Sequence, residues 1–485
     1  MNLNLKSKND IVSVITAIYL KYNPFFNVFI SANPRASFYR NYIHQIYLMA
    51  RLAFQRPIRV MVADEIGLGK TVEAIRILKH LKLVDQIKKV LIIVPPILLD
   101  QWIEKDLKNL GIRPIVIDRN NIQELYEKAK QGLIDEGIFI GSMDKLKLST
   151  SDEVETTRYP YFEFINSVHW DLVIIDEAHK LSYIGTTPSL RYERLGSIIC
   201  RNNAEHCVLL TATPHRGRTE DFLSRLVLLD KSFIPRPSEL SRKVETLGLR
   251  TALFQLITDV IFFRRVKEDI NNLENKEVFK PAHQYPVLIH VPEEIKKLQL
   301  RILDFVTLGL DRYYVDPKLK GVRELLRKLI IKRAMSSEAA LLNTFMRIGA
   351  RRGGITEEEL QKLSSKLEEY ISGEESEAEI DVEIEKFIEA VSSFVDSIRA
   401  EKLRREIEDI IREVKRIINE GKSPKINALA DIVELTLGKD IPEDLKETFK
   451  DIIGGRIIVF TEFRDTAHQI FTQLQRVLEK RIGNI

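Results

Sequence analysis

The stretch Ala63-Asp64-Glu65-Ile66-Gly67-Leu68-Gly69-Lys70-Thr71 decides how the rest of this chain is read. An apolar run with strand character, residues 58–63, leads into it. An amphipathic run with helical spacing, residues 72–83, leaves it. Strand, glycine turn and helix in that order form a cradle for phosphate. Gly67 and Gly69 lack a Cβ, so the backbone can curl and aim successive N–H groups at anionic oxygens. The following helix turns its positive end toward the same anion. Lys70 is placed to reach β and γ phosphates, and the Thr71 hydroxyl to complete a Mg²⁺ shell. One position departs from the general pattern: Asp64 stands where that pattern has glycine.

Working outward, short apolar runs alternate with helical ones from about residue 58 to 289. Strands are expected at 58–63, 90–94, 114–117, 137–140, 172–175 and 207–210. Continuous Val/Ile/Leu runs of this length, separated by helices, read as parallel strands buried on both faces, an α/β fold. Right-handed crossovers then bring ligands to the carboxyl ends of the strands. Before the first strand, residues 39–54 read as a helix with apolar positions at Ile43, Ile46, Tyr47 and Ala50.

One of those strand ends carries a second constellation, Leu172-Val173-Ile174-Ile175-Asp176-Glu177-Ala178-His179. Four apolar residues deliver two adjacent carboxylates. In a phosphate-loop protein the first carboxylate holds Mg²⁺ through its water shell and the second orients and deprotonates the attacking water.

These residues resemble a known family. The loop 64–71, the box 176–179 and the run Leu210-Thr211-Ala212-Thr213-Pro214-His215 look like motifs I, II and III of superfamily 2 helicases. More narrowly they resemble the Swi2/Snf2 family of double-stranded-DNA translocases, in which an aspartate at the position of Asp64 is usual. Leu91-Ile92-Ile93-Val94-Pro95 with Gln101-Trp102 matches motif Ia, and Ile140-Gly141-Ser142-Met143-Asp144 resembles motif Ib. Residues 262–269 resemble the Arg-rich segment closing the first lobe, and residues 459–466 look like motif IV. The segments Asn23-Pro24-Phe25-Phe26 and 213–217 are similar to bacterial and archaeal members of the RNA-polymerase-recycling and phage-defence branches.

The resemblance implies a RecA-like first lobe over residues 38–289, after an N-terminal extension at 1–37. A helical insertion or linker domain at 290–450 and the start of a second RecA-like lobe at 451–485 complete it. The cofactors implied are ATP and Mg²⁺, and the partner is double-stranded DNA, with a DNA-bound protein such as RNA polymerase beyond it. ATP contacts fall to Gln45, Asp64, Glu65, Gly67, Leu68, Gly69, Lys70 and Thr71, and metal contacts to Thr71 and Asp176. Lys70, Asp176 and Glu177 carry hydrolysis. Gln45 resembles the glutamine that reads adenine; otherwise it is an ordinary exposed side chain. His179, Thr211 and Thr213 would couple the nucleotide site to DNA. Arg264, Arg265 and Lys267 read as structural or interlobe contacts, or as a solvated basic run. Pro95, Gln101, Ser142, Thr461, Glu462 and Phe463 are candidate DNA contacts, while Trp102 and Trp170 read as core.

The helical region shows 3.6-residue periodicity at Ile295, Leu298, Ile302, Phe305 and Val306, at Phe387, Val391, Phe394, Val395 and Ile398, and at Leu403, Ile407, Ile410, Val414, Ile417 and Ile418. An acidic tract, 357–389, reads as an exposed loop. Residues 456–460 are expected to form another buried strand, followed by a turn and a helix at 467–480.

The γ-phosphate arginines of a second lobe are expected beyond Lys480, supplied by a longer polypeptide or a partner. The chain alone is therefore expected to bind ATP but hydrolyse it poorly. Two other functions remain open: an RNA or single-strand helicase of the DEAH type, and an ATP-gated scaffold that grips a partner.

At 485 residues the chain has room for two or three domains, and a net charge of +4 is too small to argue for nucleic acid by itself. Its Ile, Lys and Glu content suits a heat-adapted source. Two cysteines, Cys200 and Cys207, exclude a disulfide scaffold; a buried structural thiol at Cys207 and a reducing, cytoplasmic, nucleoid-associated setting are expected. The apolar run 11–20 is too short to span a bilayer.

Overall fold

A computed structural model of the chain describes residues 42–53, 55–109, 111–151, 159–184, 187–214, 219–229, 260–280, 286–314, 316–349, 360, 363–364, 367, 380–391, 397–437 and 454–482. The extension at 1–37, most of the acidic tract and His215, Arg216 and Gly217 lie outside these residues, as do Phe394 and Val395. The chain divides into two compact units, Met1–His283 and Gln284–Ile485.

In the first unit, α1 (Ile43–Leu52) precedes β1 (Arg59–Val62), and α2 (Lys70–Val84) follows it. Then come β2 (Lys89–Val94), β3 (Ile115–Val116), β4 (Gly137–Ser142) and β5 (Trp170–Ile175). A small antiparallel pair, β6 (Tyr183–Ile184) and β7 (Thr187–Pro188), leads to β8 (Ala204–Leu210), α3 (Thr219–Leu229), β9 (Phe262–Phe263) and α4 (Lys267–Glu274). Seven strands form one sheet in the order β3-β4-β2-β5-β8-β1-β9, and every pairing in it is parallel.

The alternation of side chains explains why the strands read as unbroken apolar runs. Met61, Leu91, Ile93, Val173, Ile175 and Leu209 point into one core, and Val60, Val62, Val90, Ile92, Ile174 and Val208 into the other. Each face is sealed, and full burial of such a side chain stabilises by roughly 1.5–3 kcal/mol. The six expected strands are all present. β9 was not foreseen: two residues carry no periodic signal, and Phe262 and Phe263 become strand only by pairing with Met61 and Val62.

Two local expectations are corrected. The buried face of α1 is His44, Gln45, Leu48, Met49 and Leu52, whereas Ile43 and Tyr47 are exposed. His44 and Gln45 face inward because both meet the Leu68 carbonyl of the glycine turn, while Leu48, Met49 and Leu52 enter the core. The cysteines are not free thiols. Cys200 and Cys207 form a disulfide, with Cα atoms 6.1 Å apart, because the helical segment Tyr192–Asn202 folds back against β8. Both half-cystines are fully buried.

The second unit is helical. Its longest helix, Ser397–Asn419, buries Leu403, Ile407, Ile410, Val414 and Ile417 in a core shared with Ile295, Leu298, Ile302, Phe305, Phe345 and Phe387. The helices Glu293–Asp304, Lys320–Ser336, Glu338–Gly349 and Arg464–Ile482 belong to the same unit. Residues 456–460 are not a strand: Ile458 is 76% exposed and Phe460 90% exposed. No other stretch among the described residues of this unit is a strand, so the segment has no ladder to join.

Candidate nucleotide-binding site

The glycine turn leaves β1 at the carboxyl edge of the sheet. Gly67 and Gly69 both take left-handed φ, +93° and +92°, which a Cβ would oppose, and Gly69 caps α2. Lys70 Nζ donates to the Asp64 carbonyl at 2.8 Å, folding the lysine over its own loop. From beneath, Gln45 Nε2 donates to the Leu68 carbonyl at 3.1 Å, and the His44 ring Nε2 lies the same distance from it. Gln45 is 2% exposed, so it is not an ordinary surface glutamine; its Oε1 is buried without a hydrogen-bond partner.

Asp64 proves to be an internal bracket. It is fully buried, and Arg265 Nε and Nη2 donate to its two carboxylate oxygens at 3.0 and 2.5 Å. The Arg265 backbone N–H adds a third bond to Oδ1 at 3.0 Å. Arg265 Nη2 also donates to Glu73 at 2.9 Å, and Nη1 to the His44 carbonyl. Burial and the charge of Asp64 hold the Glu73 carboxyl well above its usual range. The three acidic and imidazole side chains His44, Asp64 and Glu73 are close enough for a metal, but the guanidinium already supplies the cation. Glu65 faces Lys267, accepting its backbone N–H at 2.8 Å, and that bond keeps its carboxyl below the usual range. Asp64 and Glu65 thus tie the loop to Arg265 and Lys267. Arg264 is exposed.

The carboxylate pair sits at the tip of β5. One strand, β8, lies between β5 and β1, so the two tips are two strand spacings apart, about 10 Å. The Lys70 charge favours the ionised form of both carboxyls, but it is a minor influence beside burial at Asp176 and the His179 hydrogen bond at Glu177. Asp176 is 6% exposed, and burial pushes its carboxyl up to about 6 against the pull of Trp102, whose Nε1 donates to Oδ2 at 2.8 Å. The Glu177 N–H donates to the other oxygen at 2.8 Å. Glu177 itself holds φ +48°, a strained conformation for a side-chain-bearing residue. His179 Nδ1 lies 3.0 Å from Glu177 Oε2 and 3.3 Å from the Thr211 hydroxyl at the tip of β8. The hydrogen bond from His179 holds Glu177 below its usual range, with Lys70 acting the same way. Thr211 in turn accepts the Thr213 N–H at 3.1 Å. The chain of contacts Glu177–His179–Thr211–Thr213 is continuous.

Two residues were missed. Trp102 is indeed core, but its N–H is aimed at Asp176; the Gln-Trp pair one turn beyond a strand end was the available signal. Arg225 on α3 is fully buried and donates to the carbonyls of Ala178, His179 and Pro214, binding the turn after β5 to the turn after β8. No sequence signal marked it.

The candidate DNA contacts fare unevenly. Gln101 and Thr461 are exposed, and Glu462 is exposed and paired with Lys332 at 3.0 Å. Pro95 and Ser142 are buried at the strand ends, and Phe463 is 2% exposed with the Arg333 guanidinium 4.9 Å from its ring centre. The side chains of Pro95, Ser142 and Phe463 face the interior and are not on a surface that a duplex could touch.

A parallel α/β sheet whose glycine turn and carboxylate pair share one edge defines the class: a phosphate-loop nucleotide-binding lobe. Residues 43–284, about half of the chain, match the SNF2-related domain. The chain belongs through this stretch to the family of SNF2-related domains. It is similar to the uncharacterized ATP-dependent helicase YqhH of Bacillus subtilis (strain 168), 29% identical over 266 residues, covering 52% of this chain and 43% of the relative. It is also similar to the RNA polymerase-associated protein RapA of Haemophilus influenzae, 33% identical over 190 residues, 39% of this chain and 19% of RapA. The chain spans less than half the length of these curated relatives. Among solved structures it overlaps the Sulfolobus solfataricus SWI2/SNF2 ATPase core in complex with double-stranded DNA, at 20% identity, TM-score 0.39, 64% of this chain and 60% of that one. The Pyrococcus furiosus Hef helicase domain overlaps at 15% identity and TM-score 0.41, over 91% and 80%. Among the described residues no helix is long and apolar enough to cross a membrane.

Proposed function

We propose that this chain is the ATP-binding part of a motor that moves on double-stranded DNA in the cytoplasm. In this reading residues 38–289 are its first lobe, 290–450 a helical insertion and 451–485 the opening of a second lobe. The observation that carries it is that the glycine turn with Lys70, after β1, and the Asp176-Glu177 pair, after β5, leave the carboxyl ends of parallel strands of one sheet with a single strand between them.

The residues suit a divalent cation. A buried carboxylate whose charge is disfavoured, as at Asp176, lacks positive compensation that Mg²⁺ would provide. Asp176 and the Thr71 hydroxyl, beside Lys70 at the start of α2, would hold it, partly through water. When bound, Mg²⁺ supplies charge neutralisation for the phosphates. The chain's own groups do the rest. The N–H groups of the glycine turn and Lys70 bind and orient the β and γ phosphates. Glu177, kept ionised by His179 and Lys70, accepts the proton of the attacking water. His179 passes the state of Glu177 to Thr211.

Duplex DNA as the track, and a DNA-bound protein such as RNA polymerase as the object displaced, are supported by the relatives' names and by the partner in the Sulfolobus complex. Slow hydrolysis by this chain alone follows if the γ-phosphate arginines come from outside it. The test is direct: Lys70→Ala abolishes ATP binding, measured by calorimetry. In the full-length protein duplex DNA stimulates ATP turnover more than single-stranded DNA or RNA. Unchanged affinity in Lys70→Ala refutes the site, and stronger stimulation by RNA or single strands refutes the track.

A further inference from the structure

Glu177 sits between two fixed points. Before it, the Asp176 N–H donates to the Ile93 carbonyl at 2.9 Å and belongs to the sheet. After it, the carbonyls of Ala178 and His179 accept from Arg225 Nε and Nη2 at 3.0 and 2.9 Å. Glu177 spans the gap in left-handed backbone, φ +48°, which a side-chain-bearing residue keeps only where its surroundings impose it. The same guanidinium donates through Nη1 to the Pro214 carbonyl at 2.6 Å, just beyond Thr211 and Thr213. One rigid plane thus holds the turn after β5 and the turn after β8 together.

Arg225 is in turn held from behind. It lies in α3, where Leu226 and Leu228 are fully buried, and its charge is met by Asp221 one turn earlier at 2.7 Å. The last carbonyls of α3, those of Leu228 and Leu229, accept from Arg59 at the start of β1, both at 2.8 Å. A buried ion pair adds little net stability over apolar residues of the same volume. What an apolar residue cannot do is hold three carbonyls on two separate turns in fixed register.

We infer that Arg225 is a positioning residue for Glu177. It keeps the turn after β5 in the strained form that aims this carboxylate at the attacking water, and it keeps the His179 ring between Glu177 and Thr211. This rests on the role proposed above for Glu177. The loss on removing Arg225 is confined to the hydrolytic step, because the glycine turn and Lys70 are carried by other elements, β1 and α2. A displacement of about 1 Å at a catalytic group costs about 100-fold in rate.

The test uses two variants of the 485-residue chain. Arg225→Lys keeps the charge facing Asp221 but offers a point donor in place of the planar fork, so it cannot span three carbonyls. Arg225→Met with Asp221→Asn removes both charges and keeps the apolar stem; if one variant does not fold, the other carries the test. Single-turnover hydrolysis of radiolabelled ATP, with protein in saturating excess, falls about 100-fold in both. The Kd for a non-hydrolysable ATP analogue, from calorimetry, is unchanged. In a Glu177→Gln background Arg225→Lys lowers the residual rate no further, since both act through one carboxylate. Amide exchange in the nucleotide-free chain reads the tie itself. Lys180 and Leu181, whose N–H groups donate to the Glu177 and Ala178 carbonyls, exchange about 10-fold faster or more in Arg225→Lys, as does Thr213, while β2 and β5 are unaffected. An unchanged saturated rate, a fall in nucleotide affinity as large as the fall in rate, a full further loss in the Glu177→Gln background, or unchanged exchange at Lys180 and Leu181 each overturns the inference. A wild-type chain that hydrolyses no faster than Lys70→Ala refutes the proposed function instead, and the exchange measurement then decides whether Arg225 holds the turn.

Discussion

Replacing Arg265 by Met removes the guanidinium that bridges two fully buried carboxylates, Asp64 and Glu73, and leaves Arg76 acting on Glu73 alone. The substitution keeps an apolar stem of similar length, so the loss is chiefly electrostatic. Breaking a buried pair by deleting one partner costs about 3–5 kcal/mol. For a unit of this size that corresponds to a fall in Tm of about 6–10 °C, at about 2 °C per kcal/mol. Three side-chain hydrogen bonds from Arg265 to Asp64 and Glu73 disappear with it, as does the one to the His44 carbonyl, while the backbone N–H bond to Asp64 is untouched. The cost has a pH signature. Glu73 already has a folded pKa above its unfolded one, so its protonation favours the folded state. That contribution is fully present below the unfolded pKa and is lost as pH rises through the folded value. Without Arg265 the folded pKa rises further, and the deficit of Arg265→Met shrinks as pH is lowered. Adding Glu73→Gln and Asp64→Asn to Arg265→Met removes the stranded charges and recovers most of the stability. The assay is thermal unfolding followed by calorimetry at several pH values, with ATP affinity measured alongside. A Tm unchanged in Arg265→Met, or a triple variant no more stable than the single one, refutes the account of Asp64 as a bracket.

The remaining expectations are simpler. Burial, with the Arg56 charge beside it, lowers the His80 pKa to about 4, and Arg56 lies 3.3 Å from its Nε2. A depressed histidine contributes stability that is fully present above its unfolded pKa of 6.5 and lost as pH falls through 4, up to about 3 kcal/mol. Denaturant titrations across that window are correspondingly steep in the wild type and flatter in His80→Gln; equal slopes would contradict it. Thiol titration in denaturant finds no reactive thiol before reduction and two after, since both cysteines are in the bridge. Two thiols without reduction would return Cys200 and Cys207 to the free state.

The amino-acid sequence by itself determined the α/β class, six of the sheet's seven strands and the two decisive loops. Each depends on local chemistry: uninterrupted apolar runs for strands sealed on both faces, glycines for a backbone with φ near +90°, and adjacent acids at a strand end. What lay beyond it depends on contacts distant in sequence. Arg265 meets Asp64 across 201 residues, Trp102 meets Asp176 across 74, and Arg225 reaches Ala178 across 47. Periodicity says nothing about such meetings. The apolar stripe of α1 pointed to the wrong face because His44 and Gln45 turn inward to the Leu68 carbonyl, and residues 456–460 read as strand yet have no strand to pair with among the described residues of their unit. A strand is a property of two segments, and a buried ion pair of two side chains; both are decided only when the chain has folded, because the partner supplies half of the hydrogen bonds and all of the compensating charge.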